Sequence, residues 1–195
     1  MTQNVGSTGD PASSEWVRRC ASLIAPGSRV LDVACGAGRH SLLLRDLGFS
    51  VTAVDRDESA LSALDRQPGI TTLSADLELA PWPFPNESFD AIVVTNYLHR
   101  PLFPHFTGTL RTGGSLIYET FAVGNERFGR PSNPRFLLCR DELLTLAGPL
   151  QVLAFEQGIV HHPKPAMMQR ICAVKAPEAG VLGTAIPVTG MGALR

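Results

Sequence analysis

The chain has 195 residues, enough for one domain with a sizeable core. Its 44% hydrophobic and 18% charged residues exclude a disordered chain, and a formal net charge of -1 excludes a strong overall pull toward nucleic acid or an anionic membrane. No apolar run approaches the roughly 20 residues that cross a bilayer, and the polar start of the chain lacks the basic and apolar regions of a signal peptide, so a cytoplasmic protein is expected.

Residues 1–12 read as a mobile leader. Trp16, Val17, Cys20, Leu23 and Ile24 then recur at helical spacing, with Ser13 or Ser14 as cap, and Pro26-Gly27 ends the helix. Arg29 to Ala34 is a first strand, followed by the turn Gly36-Ala37-Gly38. His40 to Leu47 reads as a helix with Leu42, Leu43 and Leu47 available for burial, and Gly48 at its end. Ser50 to Val54 is strand two, Glu58 to Arg66 a helix capped by Asp57, and Ile70 to Ser74 strand three. Phe89 to Thr95 is strand four, Leu102 to Leu110 a helix, and Ser115 to Phe121 strand five.

Strands apolar on both faces and alternating with helices predict an α/β, doubly wound, mostly parallel sheet. After a helix near Asp141 to Ala147, strands at Gln151 to Gly158 and Met168 to Val174 are joined by only a short Pro-rich loop. They must pair as a hairpin, which completes seven strands with one antiparallel strand near the C-terminus. Residues 13–176 form the single domain, and 177–195 read as a flexible tail. Cys20, Cys35, Cys139 and Cys172 form no CxxC pair, so free and mostly buried thiols are expected. No His/Cys/Asp/Glu cluster has metal-ligand spacing.

The densest chemical signal is the run from Val30 to His40, in which a strand ends, a Gly-x-Gly turn follows and a helix begins. Glycines there let backbone approach a ligand, and the helix start offers unpaired N–H groups. Asp55 ends the second strand 17 residues after Gly38, near the ~20-residue spacing of sites that hold ribose hydroxyls.

The ordered set of Asp32-x-Ala-x-Gly-x-Gly, Ala53-Val54-Asp55, Ala75-Asp76 and Phe89-Asp90-Ala91-Ile92-Val93 resembles the class I, S-adenosylmethionine-dependent methyltransferases over roughly residues 28 to 121. The chain has Ala34 where the family often has glycine. The resemblance implies S-adenosylmethionine as cofactor. Asp32 would help hold its methionine amino group, and Ala34, Gly36 and Gly38 would let the loop approach the methionine. Arg39 would pair with its carboxylate or stand as a solvated arginine at the helix start, and Asp55 would take the ribose hydroxyls. Arg56 would flank the adenine, Asp76 would accept from the adenine amino group with the Leu77 amide nearby, and Asn96 would line the methyl end. Gly-Arg-His-Ser after the loop is similar to tellurite-resistance-type enzymes acting on small molecules.

Tyr97 and His99 follow strand four at the ligand edge and are the candidate catalytic residues. The Asn/Asp-Pro-Pro-Tyr motif of amino-methylating nucleic-acid enzymes is absent, as is a Pro-Cys nucleophile. A small-molecule acceptor is therefore expected, a protein acceptor is the alternative, and nucleic acid and membrane are disfavoured. The segment from Gly124 to Phe136 carries Arg127, Arg130 and Arg135 among aromatics, and is expected to close over the acceptor and bind an anionic group on it, with a solvated connector as the alternative. Two rival functions use the same residues: a non-catalytic, partner-activating cofactor binder, and an NAD-dependent oxidoreductase. The second is opposed by Ser41, where a dinucleotide fingerprint wants Gly or Ala.

Overall fold

The computed structural model describes residues 13–177, so the expected leader and nearly all of the expected tail lie outside the described residues. The first helix, α1 (Glu15–Ala21), starts at Ser14, whose Oγ accepts the N–H groups of Trp16 at 3.1 Å and Val17 at 3.3 Å. Its inner face buries Trp16, Val17, Cys20 and Ala21. Replacing Ser14 with alanine is expected to cost about 1 kcal/mol and lower the melting temperature by a few degrees. An unchanged melting curve would show that other contacts hold this helix end.

The remaining elements are β1 (Arg29–Val33), α2 (Arg39–Asp46), β2 (Ser50–Asp55), α3 (Glu58–Leu61), β3 (Ile70–Ser74), β4 (Phe89–Thr95), α4 (Phe103–Thr109), β5 (Leu110–Phe121), α5 (Glu142–Leu146), β6 (Gln151–Val160) and β7 (Ala166–Val174). They build one seven-stranded sheet in the order β3-β2-β1-β4-β5-β7-β6. The first five strands pair in parallel, and β7 runs antiparallel to both β5 and β6. The doubly wound sheet with one antiparallel strand is therefore as the sequence implies.

Because strand side chains alternate, each strand feeds two cores. Val30, Val51, Ala91, Val93 and Ile117 pack with α1 and α2, while Leu31, Val33, Ile92, Val94 and Tyr118 pack with α4 and α5.

Four local expectations are corrected. In α2 the buried leucines are Leu43 and Leu44, whereas Leu47 caps the helix end and is 43% exposed. The helix after Asp57 makes one turn instead of reaching Arg66, and Leu64, in the turns that follow it, fills the space at Gly38. A Cβ there would fall 2.3 Å from Leu64 Cδ1. Strand β5 begins at Leu110, earlier than expected, and bends where backbone crosses at Gly114. A Cβ at that position would lie 2.9 Å from the Arg111 carbonyl oxygen. All four cysteines are free, with Cys20 and Cys172 buried, but Cys139 is exposed.

Candidate active site

In an open parallel sheet the carboxyl ends of the strands leave a crevice where the strand order reverses, here between β1 and β4. A cavity of ≈ 360 Å³ opens at that edge. At one end it is lined by Asp55 and Arg56 after β2 and by Asp76 and Leu77 after β3, and beyond these by Ala34, Asn96 and Tyr97 after β1 and β4.

The strand ends carry strain. Ala34 has φ of 52° and Asn96 has φ of 56°, both in the left-handed region. Asparagine tolerates that conformation, but alanine pays for its Cβ, roughly 1 kcal/mol or more. Strained residues facing each other across a crevice are common where backbone groups must point at a ligand. Substituting glycine for Ala34 is expected to stabilise the chain by roughly 1 kcal/mol, read as a shift in the urea midpoint.

Asp55 organises the loops around it. Its Oδ2 accepts the Gly36 N–H at 2.8 Å, and its Oδ1 accepts the Asp57 N–H at 3.0 Å. Each oxygen keeps a second lone pair for a hydroxyl in the cavity. Asp76 Oδ1 accepts the N–H groups of Glu78 at 2.9 Å and Leu79 at 3.2 Å, which fixes the turn that carries Leu77.

The glycine loop divides its roles. Gly36, at φ of 54°, presents its N–H to Asp55, whereas Gly38 serves the contact with Leu64. Gly36, Gly38 and Arg39 stand outside the cavity lining. Asp32 does too, being 1% exposed beneath the loop, where it accepts the Ser41 hydroxyl at 2.6 Å. Burial pushes its carboxyl up to about 7, against the pull of the Ser41 hydrogen bonds and the nearby Arg39 charge.

His40 is a buried residue that sequence reasoning passed over. Its Nε2 accepts the Ser14 N–H at 3.0 Å, so the neutral ring carries its proton on Nδ1 and donates to Thr95 Oγ1 at 3.1 Å. Burial, aided by Arg39, pushes it down to about 4. The ring thereby staples the start of α1 to the end of β4.

At the other end of the cavity, Tyr97 is half-buried. Burial, together with the Glu78 carboxylate, holds its phenol well above the ordinary range, so it is a hydrogen-bond donor and not a base near neutral pH. His99 does not line the cavity; its Nδ1 lies 3.9 Å from Glu78 Oε2. Glu78, Leu98, Thr120 and Phe121 line the cavity and were not singled out as site residues in the sequence, where nothing but position near a strand end marks them.

The segment after β5 also differs from expectation. It contains two short 3-10 turns, Asn125–Arg127 and Pro134–Phe136, and it sends Pro131 and Phe136 into the cavity wall. Arg127, Arg130 and Arg135 are exposed and outside the lining. Arg127 donates to its own Gly124 carbonyl and lies over the Phe128 ring. The arginines alternate with the residues that turn inward, so the charge faces out. Among the described residues no cluster of three potential metal ligands occurs, and no helix is long and apolar enough to cross a membrane.

The chain is similar to known proteins in sequence and in fold. Residues 30–114 match the model of a methyltransferase domain family. A demethylmenaquinone methyltransferase of Mycobacterium sp. (strain KMS) is 33% identical over 142 residues, covering 69% of this chain and 57% of that protein. A tRNA U34 carboxymethyltransferase of Methylococcus capsulatus is 34% identical over 126 residues, covering 57% of this chain and 38% of that protein. The chain thus spans little more than half the length of the mycobacterial relative. Among solved structures, TehB from Haemophilus influenzae superposes with a TM-score of 0.68 at 23% identity, covering 82% of this chain and 61% of that one. A SAM-dependent methyltransferase from Methanosarcina mazei superposes with a TM-score of 0.69 at 17% identity, covering 86% of this chain and 100% of that one. Residues 30–114 are therefore a methyltransferase domain, and the chain that contains them has the class I methyltransferase fold.

Proposed function

We propose that this protein is an S-adenosylmethionine-dependent methyltransferase that moves a methyl group by direct displacement to a small-molecule acceptor. The observation that carries the reading is the order in which the strand ends lining the cavity follow one another across the sheet: Asp76 and Leu77 after β3, Asp55 and Arg56 at β2, Ala34 after β1, then Asn96 and Tyr97 after β4. That sequence of groups fits an elongated nucleoside ligand. Free lone pairs on Asp55 suit the ribose hydroxyls, and Arg56 and Leu77 suit the two faces of the adenine. Asp76 suits the adenine amino group, and the backbone at Ala34, held in place by the Gly36 and Gly38 turn behind it, suits the methionine. Arg39 and Asp32 stand outside the cavity lining near that loop, and are assigned to the methionine carboxylate and ammonium respectively. Asn96 borders the methyl end.

When bound, the sulfonium supplies an activated methyl group and a good leaving group. The protein's share of the work is alignment and exclusion of water, which can supply roughly 7–11 kcal/mol. Tyr97 offers its O–H as a donor to the acceptor. His99 and Glu78 stand just outside as the nearest groups able to take a proton. Arg127, Arg130 and Arg135 have no place in this site, and acceptor contacts pass to Pro131 and Phe136.

Relatives bear names pointing to several acceptor kinds, including demethylmenaquinone, a tRNA uridine, malonyl-[acyl-carrier protein] and ribosomal protein L11. The net charge of -1 lacks the basic surplus that a polyphosphate partner requires, which favours a small acceptor, with protein second. The test is formation of S-adenosylhomocysteine, followed by mass spectrometry, with a panel of small hydroxyl, amine and thiol acceptors. Turnover with one class supports the reading. Cofactor binding without turnover on any small, protein or RNA acceptor would favour a non-catalytic binder.

A further inference from the structure

The acceptor end of the cavity is walled by backbone that is pinned from behind. Three side chains do this, and none of them lines the cavity. Tyr118 is fully buried, and its hydroxyl donates to the Tyr97 carbonyl at 2.7 Å. Asn125 is 1% exposed; its Nδ2 donates to the Pro131 carbonyl at 3.0 Å, and its Oδ1 accepts the Met167 N–H of β7 at 3.1 Å. Arg100 uses its whole fork. Nη1 donates to the Arg135 carbonyl and Nη2 to the Leu137 carbonyl, each at 3.0 Å. These two carbonyls flank Phe136 in the chain. Glu142 grips the same guanidinium through Nε at 2.6 Å and Nη2 at 3.0 Å. A planar, five-donor guanidinium can hold a carboxylate and two carbonyls at once, which an ammonium cannot. The segment after β5 is thus strapped through Arg100 to Glu142 of α5 and through Asn125 to Met167 of β7, while Tyr118 holds the backbone at Tyr97, and the segment does not hang as a free lid.

The wall so fixed is apolar. Pro131, Phe136, Phe121 and Leu98 line it, and Phe136 remains 49% exposed, an unusual state for a pinned aromatic. The charges that face the cavity are the carboxylates of Asp55, Asp76 and Glu78 against the single guanidinium of Arg56. An anion placed there would be repelled, while the loop arginines are exposed and outside the lining.

We infer that Pro131 and Phe136 form a prebuilt acceptor subsite for an uncharged molecule carrying a flat apolar ring, and that Arg100 and Asn125 are the positioning residues that hold this wall. The inference rests on the methyltransferase reading above and gives its acceptor a chemical class. An aromatic wall fixed before binding saves the ordering cost that a mobile loop would pay.

The experiment uses the full chain saturated with S-adenosylhomocysteine and titrated with two probes that share one flat ring system, neutral 2-naphthol and anionic 2-naphthoate. The naphthol should bind at least tenfold more tightly. Phe136→Ala should weaken naphthol about tenfold, the worth of one buried apolar side chain, and leave S-adenosylhomocysteine affinity within twofold. Arg100→Gln should show a similar loss, and the double variant should be no worse than Phe136→Ala alone, since both act on one wall. Arg100→Lys, which keeps the charge but not the fork, should fall between the parent and Arg100→Gln. Equal or tighter binding of naphthoate, no naphthol binding to the loaded chain, or additive losses in the double variant would overturn the inference alone. Failure of the parent to bind S-adenosylhomocysteine would overturn the methyltransferase reading and this inference with it.

Discussion

Replacing Asp55 with alanine is expected to weaken S-adenosylmethionine binding by roughly tenfold to a hundredfold. A hydrogen bond to a charged acceptor is worth about 1.5–3 kcal/mol, and each 1.4 kcal/mol is tenfold in affinity. The carboxylate also holds the N–H groups of Gly36 and Asp57, so its loss frees the glycine loop as well as the ribose end of the cavity. Asp55→Asn separates the two effects. It keeps one acceptor oxygen for the loop but loses the charge, so its affinity should lie between those of the parent and the alanine variant. Calorimetric titration measures both. An alanine variant with the parent's affinity would remove Asp55 from the cofactor site.

Asp32→Asn is expected to raise stability above pH 7 while weakening the cofactor. Burial lifts the Asp32 carboxyl to about 7 in the folded chain, against about 3.9 in an unfolded one. The native state therefore holds that proton more tightly. Its contribution is present below about pH 4 and is lost as pH rises through about 7. His40 runs the other way: its folded value of about 4 lies below the unfolded value near 6.5, so its contribution is present above about pH 6.5 and is lost as pH falls through about 4. The two groups oppose each other over the same window and flatten the parent's profile. Asparagine at position 32 keeps an acceptor for the Ser41 hydroxyl but carries no charge to desolvate. Above pH 7 the variant should be more stable by on the order of 1–3 kcal/mol, with the gain shrinking toward pH 4. Urea denaturation at pH 8 and pH 5 measures this. Equal stability at pH 8 would mean the carboxylate is solvated or paired when ionised. Retaining a costly charge beneath the cofactor loop is the kind of exchange of stability for binding expected at an active site.

The fold was legible because its signals are local and repeated. Strands such as Phe89–Thr95 are apolar throughout, helices begin at Ser14 and Asp57 caps, and a hairpin is forced by the short loop before Ala166. That Ala34, Asp55, Asp76 and Asn96 meet at one cavity was legible for the same reason: each lies at or within two residues of a strand end, so strand order alone brings them together. What failed needed long-range contacts. That Leu64 fills the space at Gly38, that His40 reaches Ser14 and Thr95, and that Arg100 holds carbonyls 35 and 37 residues away leaves no mark in local spacing. The segment after β5 shows the limit most clearly. Its composition announces both arginines and aromatics, but which of them turns inward is decided by Arg100 and Asn125, and these turn the aromatic in and the charges out.

The most direct test of the account is a calorimetric titration of the full chain with S-adenosylmethionine and, separately, with NAD. The account predicts one S-adenosylmethionine bound per chain, displaced by S-adenosylhomocysteine, sharply weakened in Asp55→Ala, and no heat from NAD. Binding of NAD with no response to S-adenosylmethionine would contradict it.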